Sequence, residues 1–392
     1  MTPSPAASFE QIVSALKRSP LFHLSLASKE LFHSNFLAWL CESYPDQAGR
    51  IFATFLKHAP LTYGQLNVYR ERHNIDLSLE YSGGEVLIIE NKVKSLPALA
   101  QLEEYAAATP NKAQTSFLLL SLTRPTFLPF PGTTIRLSNG VEWHYLSYHD
   151  LADKLHAILP DITAITSYHG QLLRDYIDFI THLDALQNHF SIDWDDEHGD
   201  FFHAQKEIQH LASIRLHDVI DKMRYAQLAQ RVRDVMQKNG FTFIYNDFWN
   251  AQPGQVLVDS GMTRGVGLFD LKYFLMNKDR FGQPVILGVQ VQGDHFRLVL
   301  EVWERSKAPK IAAALWMPAE GNQVWFNFGL LRNGSQEYPQ KRPFNQYNGV
   351  FLYRSKRLGS IAPQHLVDTI VAYANIIRTN APLICQQIEI VP

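Results

Sequence analysis

Cysteine is nearly missing: Cys41 and Cys385 are the only two in 392 residues. Two thiols so far apart give neither a disulfide framework nor the paired spacing of a zinc site. There is no run of about 18 apolar residues, so no transmembrane helix is expected. The opening stretch, MTPSPAASFEQ, has neither the basic start nor the apolar core of a signal peptide. A soluble, cytoplasmic protein with no membrane association is the expectation. A strong charge of either sign is also missing. A net charge of −2 does not advertise a nucleic-acid binder, although a local basic groove can exist on a neutral protein. No internal repeat or low-complexity tract stands out.

Apolar residues make up 46% of the chain and aromatic residues 12%, enough for ordinary folded cores. At 392 residues the chain exceeds the roughly 250–300 that one core usually reaches, so two domains are expected. The acidic, non-periodic stretch SIDWDDEHGD, residues 191–200, reads as the linker between a domain at 1–190 and another at 201–392. Helices are expected at 9–17, 29–42, 98–108, 150–159 and 163–190, with strands at 74–81, 85–91, 115–122 and 143–146. That order describes an α/β core, a small mixed sheet flanked by helices. In the second half a helical stretch at 202–239 precedes strand-like runs at 241–245, 255–259, 266–275, 285–292, 296–303, 324–328 and 349–353, then a helix at 363–379. This reads as an α+β, mainly antiparallel domain.

One group of residues has a definite chemical meaning. Glu90-Asn91-Lys92 closes the apolar strand Val86-Leu87-Ile88-Ile89, and Asp76 lies 14 residues upstream in a second strand. Ser82-Gly83-Gly84 between them is a turn signal, so the two strands form a hairpin. A turn centred on Gly83 sets Asp76 opposite Glu90, with Cβ atoms ~5 Å apart. Lys92, two residues beyond Glu90, points the same way. Two carboxylates face to face are unfavourable without a positive charge between them, and a divalent cation is the natural candidate. A register slip of one residue would move one acid to the other face.

Asp76…Glu90-x-Lys92 resembles the PD-(D/E)XK nuclease superfamily, in the form whose first motif is Ile-Asp (Ile75-Asp76) rather than Pro-Asp. Ser28 to Leu40, SKELFHSNFLAWL, resembles the opening helix of one branch of that superfamily. Gln101-Leu102-Glu103-Glu104-Tyr105 resembles the Gln-x-x-x-Tyr helix of its RecB-type branches. The resemblance covers roughly residues 25–150, and the restriction-endonuclease-like fold it implies is confined to the first domain.

The resemblance implies a Mg²⁺- or Mn²⁺-dependent endonuclease hydrolysing phosphodiester bonds of DNA, with RNA left open. Asp76 and Glu90 would bind the metal, joined by Glu30 and the backbone carbonyl of Asn91. Lys92 would orient the attacking water or stabilise the transition state, and Gln101 and Tyr105 would face the phosphate or the lysine. His33 would contact the substrate or hold Glu30, and Glu71 would support the site from behind. Nucleases of this branch with an added domain often occur in bacterial genome defence, which gives the expected setting by analogy. The other class of function is a non-catalytic nucleic-acid-binding or assembly protein on the same fold.

The second domain offers further features. Lys341, Arg342, Arg354, Lys356 and Arg357 lie among Phe344, Tyr347 and Tyr353, a composition able to neutralise phosphates and stack on bases. A protein partner or a second copy of the chain would also bind through this domain. Asp259…Asp270-Leu271-Lys272 spells a second acid, acid, lysine set, without the flanking helices. Asp193 to Asp200, with His198, reads as solvated linker rather than as a metal site.

Overall fold

Thr115–Ser121 is buried at every position, a pattern that only a strand covered on both faces sustains. In the computed structural model it is a central parallel strand of the first of two sheets. The structure describes residues 8–26, 29–60, 62–72, 74–93, 95–110, 113–125, 127–128, 132–202, 205–244, 251–276, 285–316, 325–331, 336–337 and 343–390. Two compact units are present: Met1–Ser191 with Gln209–Ile220, and Ile192–Ile208 with Asp221–Pro392.

The first unit contains α1 (Phe9–Arg18), α2 (Pro20–Ser25), α3 (Lys29–Ser43) and α4 (Pro45–Phe52). Next come β1 (Leu66–Arg72), β2 (Ile75–Tyr81), β3 (Val86–Lys92), α5 (Leu99–Ala108), β4 (Thr115–Ser121), β5 (Thr134–Arg136) and β6 (Glu142–Ser147). Helices α6 (Tyr148–Ile165) and α7 (Ser167–His189) complete it. The strand order is β1-β2-β3-β4-β6-β5. Pairs β3–β4 and β4–β6 are parallel, and the others are antiparallel. This is the mixed sheet flanked by helices that the sequence pattern implies. Leu102 and Ala106 of α5 cluster with Ile88, Phe117, Leu119, Trp143 and Tyr145 on one face. Leu87, Ile89, Leu118 and Leu120, alternating with that set, are buried on the other.

The β2–β3 hairpin positions the candidate site. Gly83 and Gly84 have φ of 97° and 92°, values that glycine adopts without the Cβ penalty. Tyr81 N–H donates to the Glu85 carbonyl at 2.8 Å to close the turn. The pairs Leu77↔Ile89, Ser78↔Ile88, Leu79↔Leu87 and Glu80↔Val86 follow. This is the register of a turn centred on Gly83, and its next step sets Asp76 across from Glu90.

Helices α8 (Gln205–Ser213) and α9 (His217–Lys238) are each divided, with Gln209–Ile220 in the first unit and the rest in the second, which continues with β7 (Thr242–Phe243), β8 (Gln255–Thr263), β9 (Val266–Met276), β10 (Val285–Gln292) and β11 (His295–Glu301). Then come α10 (Ala308–Trp316), β12 (Gln336–Glu337), β13 (Asn345–Tyr347), β14 (Phe351–Arg357) and α11 (Pro363–Ile390). The division between the units falls within α8 and α9. The sheet order is β12-β14-β11-β10-β9-β8-β7, with β13 on β14. Only β7–β8 is parallel among the described pairs. Leu228, Val232 and Met236 of α9 and Leu366, Ile370 and Ile377 of α11 share one core with the sheet.

Several expectations change. The single helix at 163–190 is two, because Thr166 is extended (φ −153°, ψ 122°) between α6 and α7. The helix at 202–239 is interrupted where Arg215 adopts φ 56°. The acidic stretch 191–200 is not a free linker: Ile192 and Trp194 pack against the second core, since burying these two outweighs the solvation of their acidic neighbours. No strand forms over 325–328, where Trp325 and Phe326 are instead buried in irregular chain. No helix among the described residues is long and apolar enough to cross a membrane.

Candidate active site

Strand alternation divides the triplet at the end of β3 between two faces. Glu90 and Lys92 turn toward α5, and Asn91 toward α3 and α6. Lys92 Nζ lies 2.6 Å from Glu90 Oε1. Gln101 Nε2 donates to the same oxygen at 3.1 Å and to Tyr105 Oη at 2.8 Å. Tyr105 donates in turn to the Asn74 carbonyl at 3.0 Å, just ahead of Asp76. The four-residue spacing of Gln101 and Tyr105 puts both on the helix face that meets the strand end.

Asp76 Oδ2 accepts the Asn91 backbone N–H at 2.8 Å. In a strand the N–H and C=O of one residue point to the same flank, so the Asn91 carbonyl is directed toward Asp76 as well. The Asn91 side chain is buried and fully used. It donates to the Glu30 carbonyl and to Ser34 Oγ, each at 3.2 Å, and accepts from Tyr148 Oη at 2.7 Å. Glu30 reaches the site from the first turn of α3. Its Oε1 accepts both the Ser95 N–H at 2.8 Å and the Ser95 hydroxyl at 2.5 Å.

The charges in this site shift one another. Burial, then Asp76, raises the Glu90 carboxyl to about 7, against the opposing pull of Lys92. Asp76 is also raised, by burial first, with Glu30 and Glu71 adding and the Asn91 N–H and Lys92 opposing. Burial would depress the Lys92 ammonium, but Glu90, Glu30 and Asp76 outweigh it and hold Lys92 above its ordinary value. Glu90 Oε2 is sealed from solvent with no hydrogen-bond partner.

Unsatisfied hard oxygen beside a second carboxylate suits Mg²⁺ or Mn²⁺. Among the described residues no three His, Cys, Asp or Glu side chains converge as a ready-made metal cluster. Two carboxylates still fit, because Mg²⁺ is usually held by one or two, with water and substrate phosphate completing its shell.

The remaining expected residues divide. Glu71 lies across from Asp76 in the β1–β2 register, between the pairs Arg70↔Leu77 and Arg72↔Ile75. It is exposed, with φ 49°. His33 does not reach a substrate position. It is 1% exposed, hydrogen-bonded to Tyr176 Oη at 3.0 Å and stacked on Phe179. Burial drops its pKa to about 3, so it is a neutral core histidine joining α3 to α7, and it does not hold the Glu30 carboxylate either.

In the second unit Arg354 lies 4.3 Å over Trp316, Lys356 lies 5.6 Å over Phe328, and Arg357 Nε meets Asp294 Oδ2 at 2.5 Å. These three expected substrate cations thus have contacts inside their own unit, while Lys341 and Arg342 fall outside the described residues. Sequence reasoning missed Ser95, Ser34 and Tyr148. No local pattern marks them, because their partners are 57 to 65 residues away.

A model of the PD-(D/E)XK nuclease superfamily matches residues 21–178, the stretch that holds every residue of this site. No curated protein and no solved structure matches the chain.

Proposed function

Starting from a PD-(D/E)XK nuclease superfamily domain in the amino-terminal region, we propose that this protein is a Mg²⁺- or Mn²⁺-dependent endonuclease acting on DNA. The observation that carries the reading is the pairing of Asp76 and Glu90 across β2 and β3. Lys92 lies 2.6 Å from Glu90, and Glu90 Oε2 is left without a partner.

Asp76, Glu90 and the Asn91 carbonyl would hold the cation, with Glu30 joining directly or through water. When bound, the ion lowers the pKa of a coordinated water and offsets charge developing at phosphorus. Lys92, 2.6 Å from Glu90 Oε1, is a cation placed beside these carboxylates. It orients the attacking water or stabilises the transition state, and removal of such a group typically costs ~10²–10³ in rate. Gln101 keeps Glu90 Oε1 turned toward the lysine, and Tyr105 ties Gln101 to the chain before Asp76. The second unit would select substrate, partner or oligomeric state. The setting proposed is bacterial genome defence, by analogy with two-domain nucleases of this kind.

The test compares wild type with Glu90→Ala and Lys92→Ala on plasmid, linear and single-stranded DNA, and on RNA, with Mg²⁺ or Mn²⁺. Cleavage by wild type alone is expected. Equal cleavage by all three proteins would remove the assignment of this site. Saturable DNA binding without cleavage by any of them would favour a non-catalytic binding protein.

A further inference from the structure

The connection that leaves β3 for α5 turns back onto α3. Ser95, three residues past Lys92, donates twice to one oxygen of Glu30: its N–H at 2.8 Å and its hydroxyl at 2.5 Å both reach Oε1. Glu30 is therefore held at two points. Asn91 Nδ2 donates to its carbonyl at 3.2 Å, which ties the start of α3 to β3, and Ser95 ties down the far end of the side chain.

This double hold has an energetic meaning. A glutamate side chain loses much rotamer freedom when it is fixed, and a ligand that must be ordered on binding lowers the affinity of its site. Anchored at both ends, Glu30 has given up that freedom before any ion arrives.

The placement is also one that charge alone opposes. Glu30 acts on both Asp76 and Glu90, raising their carboxyls, and it helps to hold Lys92 above its ordinary value. Its carboxylate thus lies within reach of two others. Glu30 is only half-buried, so a rotamer turned outward would relieve the repulsion. Two hydrogen bonds to a charged oxygen are strong enough to offset it.

We propose that Ser95 is a positioning residue, which sets the Glu30 carboxylate beside Asp76 and Glu90 as a ligand of the divalent cation, directly or through water. The inference rests on the metal reading of this site and adds a residue that none of its motifs contains. Any residue but proline would keep the N–H at position 95. The hydroxyl is the part that depends on serine, and threonine retains it. The connection that carries it also leads into α5, so Glu30 is fastened to the chain that brings Gln101 and Tyr105 to Glu90.

The test measures Mn²⁺ binding to the full, metal-stripped chain by electron paramagnetic resonance, buffered above the Glu90 midpoint of about 7. Wild type should bind Mn²⁺, and the Asp76→Asn, Glu90→Gln chain should not. Ser95→Ala should raise the Kd about tenfold, the scale on which loss of a contact to a metal ligand is felt, and Ser95→Thr should restore it. Because Ser95 acts through Glu30, adding Ser95→Ala to Glu30→Gln should change the Kd by no more than about twofold. Thermal melting of each variant separates this from a structural role, in which Ser95→Ala would lower the melting temperature and leave the Kd of the folded protein unchanged. The inference is overturned, and the metal reading kept, if wild type binds Mn²⁺ through Asp76 and Glu90 but Ser95→Ala leaves the Kd as it is or weakens binding equally in the Glu30→Gln chain. Wild type that binds no Mn²⁺, or binding that survives Asp76→Asn with Glu90→Gln, overturns the metal reading and this inference with it.

Discussion

Asp76 Oδ2 accepts the backbone N–H of Asn91 at 2.8 Å, so the side chain of one strand caps the backbone of the next. The β2–β3 pairing ends at Leu77↔Ile89, and this bond continues the hairpin toward the site. It separates two roles of one carboxylate. Asp76→Asn keeps an acceptor oxygen and should fold with little change in melting temperature, while cleavage falls by ~10²–10³. Asp76→Ala should lose the same activity and also ~1–3 kcal/mol of stability, because a half-buried N–H is left unpaired. Melting curves and cleavage rates on the two variants read the roles independently.

Glu90 and Lys92 should respond unequally to deletion. Lys92 is 10% exposed at its side chain, so Glu90→Ala strands a buried ammonium and is expected to cost ~3–5 kcal/mol. Lys92→Met leaves a carboxyl already raised to about 7, which takes up a proton at neutral pH and relieves most of the penalty. Urea unfolding near pH 7 should therefore rank Lys92→Met as the more stable variant, with both inactive. The reverse ranking would mean that the ion pair does not carry the charge balance of the site.

The pH dependence follows from the same carboxyl. Glu90 titrates at about 7 when folded, against an ordinary value of 4.5. Between those values the folded protein holds a proton that the unfolded chain has released. Metal-free stability should thus fall as pH rises from 4.5 through about 7. Metal binding requires the deprotonated carboxylate, so Mn²⁺ affinity and cleavage should rise over the same range. Unfolding in EDTA at several pH values, repeated with Glu90→Gln, should show the slope and then its flattening.

Asn91→Ala should weaken metal binding without touching a carboxylate. Its side chain serves the Glu30 carbonyl, Ser34 and Tyr148, and removal frees the start of α3 from β3. Loss of such supporting contacts typically costs ~10–100-fold in metal affinity or activity. Titration with Mn²⁺ would measure it. An unchanged affinity would mean that Glu30 stays placed without the amide.

Much of the first unit could be read from residue order, because it depends on neighbours in sequence. The glycine pair at 83–84 sets the turn, the turn sets the register, and the register sets Asp76 across from Glu90. Gln101 and Tyr105 are visible for the same reason, as a four-residue helix spacing. His33 shares a helical side with Glu30 in sequence, but α7 supplies Tyr176 and Phe179 and buries it, which helix periodicity does not contain. Ser95 and Tyr148 were hidden likewise, their partners being fixed only by tertiary packing. The acidic run at 191–200 misled because composition weighs its four aspartates and one glutamate, whereas its place in the fold is set by Ile192 and Trp194.

The fastening of α3 has a consequence for synthesis on the ribosome. Chains emerge amino terminus first at ~5–20 residues per second, and domains fold as units. Asp76, Glu90 and Lys92 meet as soon as their hairpin closes. The helix bearing Glu30 is tied to them through Asn91 by Tyr148, and to α7 by the His33–Tyr176 bond. Those tyrosines are made last in the domain. A nascent chain would therefore carry its acids in register well before the helix bearing Glu30 is fastened beside them, and a product truncated ahead of α6 would lack both ties.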